Sequence, residues 1–277
     1  MMKKKYILFV TIIISLFSCE KPIDFDLNNQ ENSRLVVEGS VTNQTKAHTI
    51  KLTRTSSYYE NQPAPKEVGA TVTIFDGTSI HTLSEISDGI YQTATTYKGE
   101  VGKTYTLNIT TNNDNFYTAS SNLVAVATID TVLFNVDTDF DDEEVLILEH
   151  YGPEPNEEGN NYMWLVDING INYTEDIATT MFVTDEHVNG NYIDGFEFQE
   201  ILLEELPNTD TLKVTVEMHS ISRKYYDFLV AIALETEFNG DLFSGPPANI
   251  PSNISNGGLG FFIASAVTTE YIEISTP

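Results

Sequence analysis

From residue 34 onward, polar and apolar side chains alternate in short runs, the pattern of strands with one buried and one wet face. His48-Thr49-Ile50-Lys51-Leu52-Thr53 has the period of two. So does Ala70-Thr71-Val72-Thr73-Ile74-Phe75-Asp76, which ends at a Gly77 turn. Arg34-Leu35-Val36-Val37-Glu38-Gly39 is a short apolar strand. Ile80 to Leu83, Gly89-Ile90-Tyr91-Gln92, Thr104-Tyr105-Thr106-Leu107-Asn108-Ile109 and Phe116 to Ala119 continue the series. Strands at this spacing, divided by Asp-Gly and Asn-rich turns, predict a β-sandwich or barrel over residues 34–128.

Residues 129–277 read differently. Val132 to Val136 and Val145 to Leu148 flank the acidic stretch Asp137 to Glu144, and a Pro- and Asn-rich loop spans Gly152 to Asn161. Tyr162-Met163-Trp164-Leu165-Val166-Asp167-Ile168 predicts a strand that ends at Asn169-Gly170, a hairpin signal. Leu212 to Met218 alternates again. The period then changes. Ser222 is placed to cap a helix reaching Phe238, with Tyr226, Leu229, Ile232 and Ala233 at helical spacing and Asn239-Gly240 at its end. The expected fold is therefore mainly β. An N-terminal immunoglobulin-like or transthyretin-like β-sandwich (34–128) is followed by a β-rich domain with one α-helix (129–277).

The N-terminus changes the picture from a soluble body to an anchored one. Lys3, Lys4 and Lys5 precede the apolar run Tyr6 to Phe17. That run is too short to span a bilayer as a helix and fits a signal peptide, residues 1–18. It closes on Leu16-Phe17-Ser18-Cys19, which resembles a lipoprotein lipobox, and Cys19 is the sole cysteine of the chain. Lipidation at Cys19 is expected to hold the protein on a membrane, with residues 19–33 as an acidic tether. A chain without further cysteine has no disulfide framework and no thiolate metal site. Cleavage after residue 18 removes three lysines and leaves 11 basic against 41 acidic side chains, a net charge of about −30. Such a surface excludes nucleic acid as a partner, because phosphate contacts need Lys and Arg.

Several segments carry a family resemblance. Leu35-Val36-Val37-Glu38-Gly39, His48 to Arg54, Ala70 to Ile74 and Gly102-Lys103-Thr104-Tyr105 lie in the N-terminal half. Asn160-Asn161-Tyr162, Ile221 to Tyr226, Pro246 to Ile250, Asn253-Ile254 and Asn256 to Phe262 lie in the C-terminal half. In this order they resemble the Bacteroidota outer-membrane lipoprotein family called domain of unknown function 4249. The resemblance implies an outer-membrane lipoprotein, often encoded near a TonB-dependent receptor, which is the expected partner. It implies no activity and no catalytic residues. Glu20, Asp24 and Asp26 behind Cys19 resemble the acidic signals that send some lipoproteins to the outer face.

Candidate chemistry is sparse. Asp137, Asp139 and Asp141 have the spacing of an EF-hand loop's first ligands and are a candidate for Ca²⁺. Asp142 and Leu148 then stand where that loop needs Gly and a bidentate Glu, so the bland reading is a solvated acidic loop. The five histidines are scattered, without zinc-helix spacing. No phosphate loop or dinucleotide fingerprint is present. Aromatic pairs such as Tyr58-Tyr59, Tyr225-Tyr226 and Phe261-Phe262, and Phe196 with Phe198, suit either a core or a sugar- or protein-binding face. Asp130-Thr131-Val132 and Asp210-Thr211-Leu212 resemble short O-glycosylation signals. Asn253 and Asn256 lie in a Pro-, Asn- and Gly-rich segment that reads either as a partner-binding surface or as a structural connector. These features point away from an enzyme and name no cofactor. The leading expectation is an accessory binding lipoprotein of a TonB-dependent nutrient transporter. The alternatives are a structural or adhesive surface lipoprotein, and a hydrolase whose site the sequence does not display.

Overall fold

The computed structural model describes residues 33–56, 63–139, 142–236 and 250–275. The fold is mainly β, with half of the chain in strands and a single α-helix among the described residues. The first strands are β1 (Leu35–Thr42), β2 (Thr49–Arg54), β3 (Thr71–Phe75) and β4 (Ile80–Thr82). Then come β5 (Ser84–Ser87), β6 (Ile90–Gln92), β7 (Thr104–Thr110) and β8 (Phe116–Asn122). One sheet, in the order β4-β3-β7-β8, faces a second in which β1, β2, β6 and β5 are neighbours. The alternation explains the sandwich. Val37, Ile50 and Leu52 of one sheet share a core with Val72, Ile74 and Leu107 of the other, while their polar neighbours point outward.

The next strands are β9 (Thr131–Thr138), β10 (Glu144–Pro153), β11 (Asn161–Ile168), β12 (Ile171–Asn172) and β13 (Phe182–Thr184). They are followed by β14 (Tyr192–Leu202), β15 (Thr211–Ser220), β16 (Leu259–Ser265) and β17 (Val267–Ser275). Sheet β14-β10-β9 packs on sheet β12-β11-β15-β17, with β13 beside β11. Their shared core includes Leu146, Trp164, Val166, Phe198, Val216 and Ile274. The Asn169-Gly170 turn forms as expected. Both residues take positive φ (54° and 86°), the requirement of a two-residue hairpin loop, and Ile168 pairs with Ile171. Helix α1 (Arg223–Thr236) starts where Ser222 caps it: the Tyr225 amide donates to Ser222 Oγ at 3.2 Å. Phe238 and the Asn239-Gly240 signal lie outside the described residues.

Strand β16 departs from the linear division at residue 128. It pairs in parallel with β1, Val36 opposite Leu259 through Thr42 opposite Ser265, and so completes the first sheet. Phe262, Ala264 and Ile254 belong to the first core. After Ala266 the chain crosses over, and β17 pairs with β15 in the second unit. The crossover is clamped by Asn43, whose side chain accepts from the Val267 amide (2.8 Å) and donates to its carbonyl (3.3 Å). Gln44 Nε2 reaches Glu217 Oε1 at 2.6 Å across the same junction. Gly260 stands against β1, where a Cβ would collide with the Val37 carbonyl and φ is +83°. The run from Leu259 to Ala266 is apolar without alternation because both faces are covered. Phe262 points into the sandwich, while Phe261 lies 5.2 Å from both Tyr225 and Phe228 of α1.

Candidate functional site

Strand β11 sends Tyr162, Trp164 and Val166 into the second core. Opposite them lies β14, which is bulged twice in its pairing with β10. Its register shifts between Leu148 and Glu149 and again between His150 and Tyr151, so Phe198 and Gly195 have no partner residue on β10. Such bulges re-aim side chains. Between the two bulges His150 pairs with Phe196. There the sheets border a half-open cavity of about 360 Å³, lined among others by His150, Glu154, Trp164, Asp185, Tyr192 and Phe196. Trp164 is flanked by Phe196 at 5.4 Å and Phe198 at 5.8 Å between ring centroids, and by His150 at 5.9 Å.

Two polar atoms in this wall lack a hydrogen-bond partner among the described residues: Trp164 Nε1 and His150 Nδ1. The residues are 3% and 4% exposed, so bulk water does not compensate them. Each such orphan costs about 1–3 kcal/mol of stability. Burial pulls the His150 pKa down to about 4, against a smaller upward pull from Asp130, so the imidazole is neutral at pH 7.

The carboxylates are also deep. Glu154 Oε1 accepts from the Tyr162 hydroxyl (3.0 Å) and from Asn160 Nδ2 (3.2 Å). Burial pushes the Glu154 pKa up, these two bonds oppose the shift, and the charge of Asp185 adds to it. Burial likewise raises the Tyr162 phenol, with Glu154 contributing. Asp185 Oδ2 accepts from the backbone amides of Gly159 and Asn160, both at 2.9 Å. The loop of residues 154–160 is thus folded around two acids that have no Lys or Arg ion pair among the described residues. The arrangement suits binding: a half-open, aromatic-walled space with a few polar groups in its lining.

A family model described as Domain of unknown function (DUF4249) matches residues 20–271. The chain belongs to the DUF4249 family. No curated protein matches it.

The cavity of this DUF4249 chain was not legible in the sequence. His150, Glu154, Trp164 and Asp185 come from separate segments and form no linear motif. One signal existed: Trp164 is the single tryptophan, set in a strongly apolar strand. Of the residues that sequence did single out, Phe196 lines the cavity and Phe198 packs behind Trp164. Asp137 lies near the end of β9, opposite Val145, and Asp139 in the β9–β10 turn. Asp137 Oδ1 accepts from the Thr138 amide and Asp139 Oδ1 from the Glu143 amide. Asp141 lies outside the described residues, as do Cys19, Tyr58 and Tyr59. No group of three or more His, Cys, Asp or Glu among the described residues is arranged to hold a metal.

Asn253 and Asn256 are held by the first unit. The Asn253 amide accepts from the Phe262 backbone N–H (3.0 Å) and donates to its carbonyl (2.7 Å). Asn256 takes φ +54° and donates to the Phe116 carbonyl at 3.4 Å. Both tie the segment before β16 to the sandwich, and neither lines the cavity at Trp164. A second, larger cleft of about 530 Å³ lies between the units beneath α1, lined by Ser40, Met163, Tyr225 and Phe261 among others. Its histidine, His219, has Nδ1 at 3.1 Å from Ser265 Oγ, while Nε2 lies 3.4 Å from Glu217 Oε2 without a hydrogen bond.

Proposed function

We propose that this protein is a lipid-anchored binding protein of the outer membrane, held at Cys19 and exposed at the cell surface, that captures a small ligand for a TonB-dependent nutrient transporter. The observation that carries the binding reading is the aromatic-walled cavity of about 360 Å³ between the two sheets, lined by Trp164, Tyr192 and Phe196 with His150 and Glu154. The anchor reading is supported by the Leu16-Phe17-Ser18-Cys19 segment and by the acidic tether behind it. The transporter reading is supported by the lipoprotein resemblance and is an association, not a mechanism.

The experiment is affinity purification of the full-length protein from native outer membranes, with identification of what accompanies it. Recovery of a TonB-dependent transporter is expected. Repeated recovery of the protein without one, from membranes in which both are expressed, overturns the transporter role. Palmitate labelling of Cys19→Ser tests the anchor: loss of label and release from the membrane are expected, because a hydroxyl does not replace the thiol in thioether formation. Continued labelling overturns it.

A further inference from the structure

Four Asn-Gly dipeptides stand in the chain, of which Asn239-Gly240 lies outside the described residues. The other three, Asn169-Gly170, Asn189-Gly190 and Asn256-Gly257, are the same two residues in different surroundings. An asparagine followed by glycine is open to attack by its own main chain, because glycine places no side chain beside its amide nitrogen. That nitrogen must first shed its proton. It then adds to the carbonyl carbon of the asparagine side chain. In a folded protein the outcome depends on what holds the N–H and what holds the side chain.

Two of the pairs share a backbone conformation. Asn169 and Gly170 take φ of 54° and 86°, Asn256 and Gly257 of 54° and 71°. Each pair fills the central positions of a tight turn. The first is closed by the pairing of Ile168 with Ile171, the second by the Gly258 amide, which donates to the Ser255 carbonyl at 3.1 Å. In the first turn the Gly170 N–H donates to Asp167 Oδ1 at 2.8 Å, and a carboxylate acceptor holds the proton on the nitrogen. The Asn169 side chain is fixed at both ends: Oδ1 accepts from the Lys213 amide at 2.8 Å, and Nδ2 donates to Thr209 Oγ1 at 3.2 Å. At the third pair the Gly190 N–H donates to the Pro155 carbonyl at 3.1 Å. The turn at Asn256 lacks these restraints. The Gly257 N–H and Asn256 Oδ1 have no hydrogen-bond partner among the described residues, and Asn256 Nδ2 makes one long bond, 3.4 Å, to the Phe116 carbonyl. Asn256 and Gly257 are both exposed, so water and hydroxide reach them.

We propose that Asn256 is a site of spontaneous deamidation, and that the fold protects Asn169 and Asn189 although each is also followed by glycine. The Gly257 nitrogen, its proton taken by hydroxide, forms a bond to Asn256 Cγ, and the side-chain nitrogen leaves as ammonia. One water then opens the imide ring. Opening at Cγ gives aspartate with the original main chain. Opening at the backbone carbonyl gives isoaspartate, with the main chain rerouted through the side chain. In sum one water is taken up and one ammonia released, with no oxidation or reduction. Either product adds a negative charge to a turn that is tied on both sides. The Ser255 amide donates to the Thr118 carbonyl at 2.9 Å, and Arg34 Nε donates to the Gly257 carbonyl at 2.6 Å. Aspartate is compatible with the turn, since it tolerates positive φ. Isoaspartate lengthens the main chain by one carbon and pulls on the Arg34 contact, in the segment that leads into β16.

The full-length protein in detergent is incubated in mildly alkaline buffer, once folded and once unfolded in urea. Peptide mapping by mass spectrometry follows the conversion of each Asn-Gly pair to its acid forms. In the unfolded chain all the pairs should convert at similar rates, because local sequence alone then sets them. In the folded protein Asn256 should stay within about threefold of its unfolded rate, while Asn169 and Asn189 fall behind it by about tenfold or more. Asp167→Ala frees the Gly170 N–H and should raise conversion at Asn169 by about threefold or more, with Asn256 as the internal reference. An unchanged rate there overturns the role given to the Asp167 carboxylate. The comparison of folded with unfolded protein needs no variant, so it decides the matter even if Asp167→Ala does not fold. If folding slows Asn256 as much as it slows Asn169, or if Asn169 converts as fast as Asn256 in the folded protein, the proposal is overturned.

Discussion

His48 in the first sandwich and His150 in the second unit are alike by every local measure and differ in what surrounds them. Both are buried, 2% and 4% exposed, and burial brings the pKa of each down to about 4. His48 Nδ1 accepts the Thr42 backbone N–H at 3.3 Å, and the ring lies edge-on to Tyr97 at 5.6 Å. There the imidazole is a strut that closes a loop. Each ring has one buried nitrogen without a partner, His48 Nε2 and His150 Nδ1, but His150 lines the cavity beside Trp164 and His48 does not. Burial and a shifted pKa therefore do not mark a functional histidine. Nor does an unpartnered ring nitrogen; the adjoining cavity is what separates His150 from His48.

The comparison can be broken most strongly from the sandwich side. Phe262 is fully buried in the first core, on a strand that arrives from the far end of the chain. Phe262→Ala should cost about 3–5 kcal/mol through lost burial and a residual cavity. Calorimetry should show the fall in thermal midpoint while the Trp164 emission maximum under native conditions stays unchanged. A large emission shift would mean that the two regions are one packing unit.

Acid tests both histidines together. Each has a folded pKa near 4, below the 6.5 of the free side chain. The unfolded chain binds more protons between those values, so stability is full above about pH 6.5 and is lost as pH falls toward 4. The loss is of order 2–3 kcal/mol for each histidine. Denaturant titrations across that window should show the decline, and His150→Leu should remove about half of it. An unchanged pH profile in that variant would mean that His150 is not held neutral.

Single substitutions at neutral pH should separate the two sites in sign. His48→Leu strands the Thr42 amide and should cost about 1–3 kcal/mol. His150→Leu strands nothing and replaces an unpartnered polar ring, so stability should be unchanged or higher by up to ~1 kcal/mol. Equal losses at both positions would erase the distinction. The smallest effect belongs to the acidic turn. Asp137 is exposed, and Asp137→Asn should change stability by no more than about 0.5 kcal/mol, measured with and without Ca²⁺.

Much of the fold could be read from the chain, and the failures have causes. Thr104–Thr110 and Thr71–Phe75 alternate cleanly because each has one face on the core and one in water. Strand β14 escaped detection because its bulges at Phe198 and Gly195 interrupt the period of two. Strand β16 gave an apolar run without alternation because the sandwich covers one face and α1 the other. In sequence such a run does not say which sheet it joins.

What the sequence determined by itself was local: the strand class, the hairpin at Asn169-Gly170 and the helix start at Ser222. Each depends on side-chain periodicity, a positive φ or a cap within a few residues. Tertiary structure alone decided that β16 would close the first sandwich in parallel with β1. It also decided that His150, Glu154, Trp164 and Asp185 would meet around one cavity. Those outcomes depend on which apolar faces bury one another and on where bulges turn a strand. Such contacts join residues distant in the chain, and no local pattern encodes them.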